Sequence, residues 1–441
     1  LGHVARVISV PPIVIFHVAR VGASLFMYVA LYQFAAAVWT KIRARRIFFV
    51  IVAVGAGLGW LFVPLTQDVS FPDISVPEIF PLYGTYVNVH FPLTIACLAL
   101  LAAYFIAAFR PGADEDPSID QAVTVIAVLS FVLALLYPHA LVPIGAAVGI
   151  FALFEWRDKR YLSPRLIRWV LALVLPALPI AAYYVLVVTY NPGMAEWNRQ
   201  NVNLAPSLPV LLIGFGLPLL IALPGIIRGL IRFERDGDRI MILWLIAMLI
   251  VMYLPTGAGR RFSVGMMIPI AYFATRAVED VWLGHISRRL RSYVFALIIP
   301  LIAVSQIFVL FLPILPVVGG NPANSVGIFL ERDYIAAYQW LNTRSSTNDV
   351  VLASPVVSAW IPGWAEARVV YGHPYETLDA AVKLQQVTDW YTGAADCTAM
   401  LDQYDVRYIV YGLEEAKIGD APCRAQLTAV AQFGDVIIYA R

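Results

Sequence analysis

Ten apolar runs, each close to the length a helix needs to cross a bilayer, constrain this chain more than any other feature of its sequence. At about 1.5 Å of rise per residue, roughly 20 apolar residues span the hydrocarbon. The runs lie near 13–39, 46–64, 91–109, 121–137, 138–154, 169–190, 207–227, 240–255, 263–283 and 294–316. The fourth and fifth share one apolar stretch, which divides at Tyr137-Pro138-His139 because both flanking loops are charged and proline breaks a helix. Composition agrees: 60% of the 441 residues are hydrophobic and 14% are charged, too few charges to cover a water-soluble surface. The expected fold is an α-helical polytopic membrane protein of about ten transmembrane helices. A net charge of +2 gives no sign of a nucleic-acid partner.

Counting Lys and Arg in alternate loops sets the orientation. One set holds seventeen, in the loops around Lys41–Arg46, Arg110, Arg157–Arg168, Arg228–Arg239 and Arg288–Arg291; the other holds three, Arg199, Arg260 and Arg261. The first set is therefore read as cytoplasmic, which puts everything after residue 316 outside. The expected location is the plasma (inner) membrane, multi-pass, with the C-terminal domain extracytoplasmic. Residue 1 is a leucine and no signal-peptide pattern follows it, so the chain reads as lacking its N-terminus.

From residue 317 the composition turns mixed. Spacing predicts helices over 332–344, 377–391, 396–404 and 423–431, and strands over 350–354, 368–372, 406–412 and 435–440. Strands alternating with helices imply a small extracytoplasmic α/β domain with a partly parallel sheet. The expected domains are thus 1–316, helical, and 317–441, α/β. Cys397 and Cys423 flank the strand 406–412 and could bridge in an oxidising compartment; two buried thiols are the alternative.

The residues that could carry chemistry gather on the outer side. Arg260 and Arg261 sit there against the charge bias, either as a bidentate clamp for a phosphate or as a helix end snorkelling to lipid headgroups. The outer loop 65–90 carries Asp68, Asp73, Glu78 and His90 and no Lys or Arg, a set suited to general base work or to holding a divalent cation such as Mg or Mn. His139 lies in the Tyr-Pro-His turn. Loop 191–206 adds Glu196, Trp197, Asn198 and Arg199, which would line a sugar site or anchor the chain at the interface. Arg20 and Arg276 fall inside apolar runs, where a charge is paired or functional; Arg276 is close enough to an end to snorkel. In the last domain, His373 and Glu376 follow a strand in a Gly-His-Pro turn, with Thr377 placed to cap the next helix. Walker, GxSxG and HExxH motifs are absent.

With these features in place, the chain resembles polytopic glycosyltransferases of the GT-C fold, in particular a bacterial group with a short soluble C-terminal domain. The resembling stretches are PPIVIFHVARVGASLFMYVALYQFAA (11–36), EIFPLYGTYVNVHFPLTIA (78–96), GAGRRFSVGMMIPIAYFA (257–274), and 349–383 followed by YDVRYIVYG (404–412). The resemblance implies transfer of a sugar from a polyprenyl-phosphate donor to a glycan, lipid or protein acceptor at the extracytoplasmic face. It implies that Arg260 and Arg261 neutralise the departing phosphate, that Asp73 and Glu78 assist the acceptor or a metal, and that His90 bonds a phosphate or sugar hydroxyl. The carboxylate such enzymes use in their first outer loop has no counterpart in residues 1–12, which hold no Asp or Glu. Two other readings stand beside it: a flippase or transporter of lipid-linked glycans, and a non-catalytic assembly protein.

Overall fold

The computed structural model describes residues 2–112, 118–318 and 329–441. The chain divides into two compact units, one made of residues 1–186 with 203–311, the other of 187–202 with 312–441.

In the first unit, seven helices among the described residues are long and apolar enough to cross a membrane: Pro12–Val38, Ile42–Thr66, His90–Phe109, Pro138–Lys159, Pro164–Tyr190, Leu208–Arg232 and Arg291–Phe311. Of the other three runs, 121–137 gives Ser118–Leu136, a helix of 19 residues, and Asp238–Met252, of 15 residues, falls below a full span. The run 263–283 gives only Met267–Ala277 in α-form, because Gly265 turns at φ 75° before it and a π-turn, Val278–Trp282, follows it. Proline at the first helical turn opens several helices, where its missing N–H costs nothing.

His90–Phe109 is the most buried of the seven and packs along Pro12–Val38. Where lipid is as apolar as leucine, close approach replaces hydrophobic drive, and alanines supply it: Ala96, Ala99, Ala102 and Ala103 on one helix, Ala23 and Ala30 on the other. An aromatic cluster of Phe34, Trp39, Phe48 and Tyr272 fills the adjoining core.

Two spans are interrupted where they meet. Residues Gly55–Leu58 leave the helix that continues as Gly59–Thr66, and Leu208–Arg232 kinks at Gly216, whose φ of 41° suits only glycine. The freed amides find carbonyls across the unit: Ala56 N donates to Ile302 O at 2.8 Å and Leu58 N to Ile213 O at 3.0 Å. Backbone outside the helical pattern is tolerated at membrane depth only when satisfied in this way.

The second unit is built on a five-stranded sheet, β1 (Val350–Leu352), β2 (Arg368–Val369), β3 (Val406–Tyr411), β4 (Thr428–Phe433) and β5 (Val436–Ala440), in the order β2-β1-β3-β5-β4. β1 runs parallel to β2 and β3, while β5 is antiparallel to β3 and β4. The sheet is therefore mixed. The helix expected over 423–431 is instead a 3₁₀ turn, Pro422–Gln426, and strand β4, which forms a hairpin with β5 around Gly434. Cys397 and Cys423 form a disulfide with Cα atoms 5.2 Å apart; Cys97 is a buried free thiol. Glu415, fully buried, accepts from Tyr334 Oη at 2.6 Å, Ser354 N at 2.8 Å and Gly412 N at 2.9 Å, and burial pushes its carboxyl above the usual range.

Candidate functional site: an arginine turn braced by a buried glutamate

The turn that carries the arginine pair is a 3₁₀ segment, Gly259–Ser263, between Asp238–Met252 and Met267–Ala277. Glycine is required at its start, since a Cβ at Gly259 would sit 2.6 Å from Met252 O. Its backbone is fixed on both sides: Arg260 N donates to Asn203 O at 2.9 Å, Asn203 N to Gly257 O at 2.6 Å, and Ser263 Oγ to Arg260 O at 2.6 Å. Beside it lies an open recess of about 480 Å³ lined by Leu204, Ala205 and residues 252–257.

Glu78 accounts for one of the two arginines. Its side chain is 1% exposed, and Oε1 accepts from Arg260 Nε at 2.9 Å, while its carbonyl accepts from Gly265 N at 3.1 Å. Burial raises the Glu78 carboxyl above its ordinary range, and Arg260, then Arg261, pull it back toward the charged form. Oε2 of Glu78 has no hydrogen-bond partner among the described residues. Arg261 lies within electrostatic reach of Glu78, His90 and His139. His90 stacks on Tyr137 with ring centroids 5.9 Å apart, and His139 meets Phe262 edge-on at 5.6 Å and Tyr137 at 5.7 Å. Glu78, His90, His139, Arg260 and Arg261 thus form one cluster at one end of the helical unit. The cluster holds two guanidiniums, one carboxylate and two imidazoles.

Asp73 stands apart from this cluster. It is fully buried, and its Oδ2 accepts from Gly59 N at 2.8 Å and Ser305 Oγ at 2.5 Å, so it ties the resumed helix Gly59–Thr66 to Arg291–Phe311. Burial pushes its carboxyl up to about 6, against the pull of Ser305 and the Gly59 amide. Asp68 is exposed and closes its own turn on Ser70 N and Oγ, both at 2.8 Å. Arg20 donates to the carbonyl of Tyr86.

Arg276 does not snorkel. It bonds Asp238 at 3.1 Å and pairs with Asp236, and Asp238 also accepts from Tyr272 Oη at 2.8 Å. Glu234, Asp236 and Asp238 are the one group of carboxylates among the described residues spaced to hold a metal ion, within 4.8 Å of one another. The Arg276 guanidinium already neutralises two of the three, so these residues fit a cation poorly.

In the second unit, the expected loop 191–206 holds a helix, Pro192–Gln200, opened by Asn191, whose Oδ1 accepts from Met194 N at 3.1 Å. Trp197 Nε1 donates to Glu376 at 2.9 Å, and Gln200 Nε2 reaches the carbonyls of Tyr375 and Thr377 at 3.2 and 2.5 Å. Glu196 pairs with Arg199 at 2.6 Å on the exposed side. Thr377 does not cap a helix: its hydroxyl accepts from Gly372 N and His373 N, at 3.1 and 2.9 Å, and the helix starts at Ala380. Glu196, Trp197, His373 and Glu376 are therefore neighbours within this unit. Tyr137, the platform for both histidines, is the residue that sequence reasoning passed over. Its signal was the Tyr-Pro-His turn itself, which stacks one ring where it breaks the helix.

Interrupted apolar helices and a mixed α/β unit at the C-terminus make up a multi-pass membrane protein of GT-C-like fold. The chain is similar in fold to the oligosaccharyltransferase of Archaeoglobus fulgidus. One crystal structure of that protein is tethered through a disulfide bond to an acceptor peptide containing the NVT sequon; the TM-score is 0.50 at 13% identity, covering 94% of this chain and 60% of that one. Another, a complex with Zn and sulfate, matches with a TM-score of 0.50 at 13% identity over 96% of this chain and 60% of that one. The chain thus spans about 60% of the length of these relatives in fold. No family model matches the chain, and no curated protein matches it.

Proposed function

We propose that the chain is a membrane glycosyltransferase that moves a sugar from a polyprenyl-phosphate donor to an acceptor at the extracytoplasmic face, in the plasma membrane of the cell. The observation that carries the reading is the arginine turn: two guanidiniums, one braced by a buried carboxylate, beside two histidines. As the sugar leaves the donor, its bond electrons pass to the phosphate, and preorganised guanidiniums stabilise that growing charge without reorganising. Arg260 and Arg261 hold the phosphate, Glu78 fixes Arg260, and His90 and His139 donate to phosphate or sugar oxygens. Asp73 sets the frame from a distance. The acceptor peptide of the archaeal relative supports a peptide as one acceptor class. The reading routes no step through a metal, because a cation such as Mg or Mn at Glu234, Asp236 and Asp238 would first have to displace Arg276.

The test is transfer from a polyprenyl-phosphate sugar in membranes carrying Arg260→Ala with Arg261→Ala. A fall of roughly 100- to 1,000-fold is expected from removing the donors to a developing anion. The Lys pair should recover part of it, since charge returns without bidentate geometry. Unchanged transfer in the alanine pair overturns the reading.

A second reading, transport of a lipid-linked glycan, is favoured by the two interrupted spans that meet break to break, a device of membrane transporters. Reconstituted vesicles separate the two: transport moves the intact lipid across the bilayer with no acceptor present, and transfer does not.

A further inference from the structure

At the end of the helical unit that carries Lys41, Arg43, Arg45 and Arg46, a groove of about 780 Å³ opens between Ile42–Val54, Leu208–Arg232, the π-turn and Arg291–Phe311. Ile42, Val50, Leu220, Phe295 and Ile299 make its walls, and Trp282 stands in it, fixed by an indole N–H donating to Ile221 O at 3.1 Å. Its size falls within the range of cavities that bury a small-molecule ligand, roughly 300–1,000 Å³. Only two lining side chains are charged, Arg43 and Arg46.

Their states differ. Arg43 is spent in a bidentate pair with Glu279, both bonds at 2.7 Å, and Arg228 is paired with Asp280 on the same π-turn. Those two pairs cancel. Arg46 makes no hydrogen bond or ion pair among the described residues, and Arg291 bonds the neutral carbonyls of Ile286 and Leu283, both in the lining, so the rim keeps uncompensated positive charge above an apolar groove, with a tryptophan of the kind that sits at headgroup depth.

We propose that this groove is a binding site for one anionic phospholipid, its acyl chains between the helices and its phosphodiester on Arg46. A negative headgroup complements the positive charge left at that rim. Basic loops are sorted to the side where anionic lipid meets them, so the occupant is drawn from the leaflet that faces Lys41–Arg46. The site is distinct from the arginine turn, which shares none of its lining residues. It stands or falls without the transferase reading.

The experiment uses the full chain in detergent, with native mass spectrometry of bound lipid. Phosphatidylglycerol and phosphatidylcholine of identical chains are offered at equal concentration. A one-to-one phosphatidylglycerol adduct preferred severalfold over phosphatidylcholine is expected from the wild type. Arg46→Gln, on an exposed side chain, should weaken phosphatidylglycerol about fivefold, the worth of one basic residue at an anionic leaflet, and leave phosphatidylcholine unchanged. Val50→Trp, which fills the groove, should weaken both. Equal binding of the two lipids by the wild type, or indifference to Arg46→Gln, overturns the proposal. So does retention of a polyprenyl phosphate with no phosphatidylglycerol adduct.

Discussion

Asp73 and Glu78 lie five positions apart in one acidic loop, yet their surroundings give them different work. Glu78 faces a guanidinium, whereas both donors to Asp73 are neutral, so its burial is less compensated. The sign follows from its carboxyl standing at about 6 against a model-compound value of 3.8, chiefly through burial. The folded state favours the protonated acid, so this contribution to stability is full below about pH 4 and is lost as the pH rises to about 6. The midpoint of thermal unfolding in detergent should fall across that window by an amount equivalent to at most about 3 kcal/mol. Asp73→Asn keeps one oxygen where Gly59 N and Ser305 Oγ converge and cannot ionise, so its midpoint should stay flat there. A wild-type profile as flat as the variant's would remove the argument.

Among the elements, the disulfide has the plainest energetic consequence. Cys397 and Cys423 are 26 positions apart, a closed loop worth about 3 kcal/mol on the chain-entropy account. Reduction should lower the unfolding midpoint of the second unit, read by circular dichroism of its strands, and leave the helical signal of the first unit in place. Much of this unit was legible in the sequence, because buried strands such as VRYIVY are runs of β-branched and aromatic residues. Strand β4, TAVAQF, was not: its alanines and glutamine read equally as helix, and its pairing with β5 decides. The helix Pro192–Gln200 was missed for the opposite reason. Asn191-Pro192 is a capping signature, but the mostly polar residues behind it carry no apolar helical period. At the site, the sequence yielded the arginine turn and its acidic loop as separate features. That Glu78 and not Asp73 answers Arg260 depends on a contact 182 positions apart, which no local pattern encodes.

At the scale of the whole molecule, charge sorting assigns opposite faces to the arginine turn and the basic loops. Single cysteines at Ala258 and Ser287 test this directly, in a background where Cys97 is buried and the other two cysteines are bridged. An impermeant maleimide applied outside intact cells should label the first within minutes and the second only after permeabilisation. The reverse pattern would turn the molecule over and with it the face assigned to transfer. The interrupted span near Gly57 adds a second constraint at this scale, because Ala56 N and Leu58 N have found distant carbonyls and Gly59 N and Trp60 N distant side chains.

The grip of Glu78 on Arg260 also sets a threshold. Any visiting anion that draws this guanidinium outward leaves a carboxylate stranded in a dry interior, so a weak competitor such as a free carboxylic acid gains little by entering. Only a guest with denser charge, spread over several oxygens so that Arg261 can share it, offsets that loss, and the same internal counter-ion keeps the turn quiet until such a guest arrives.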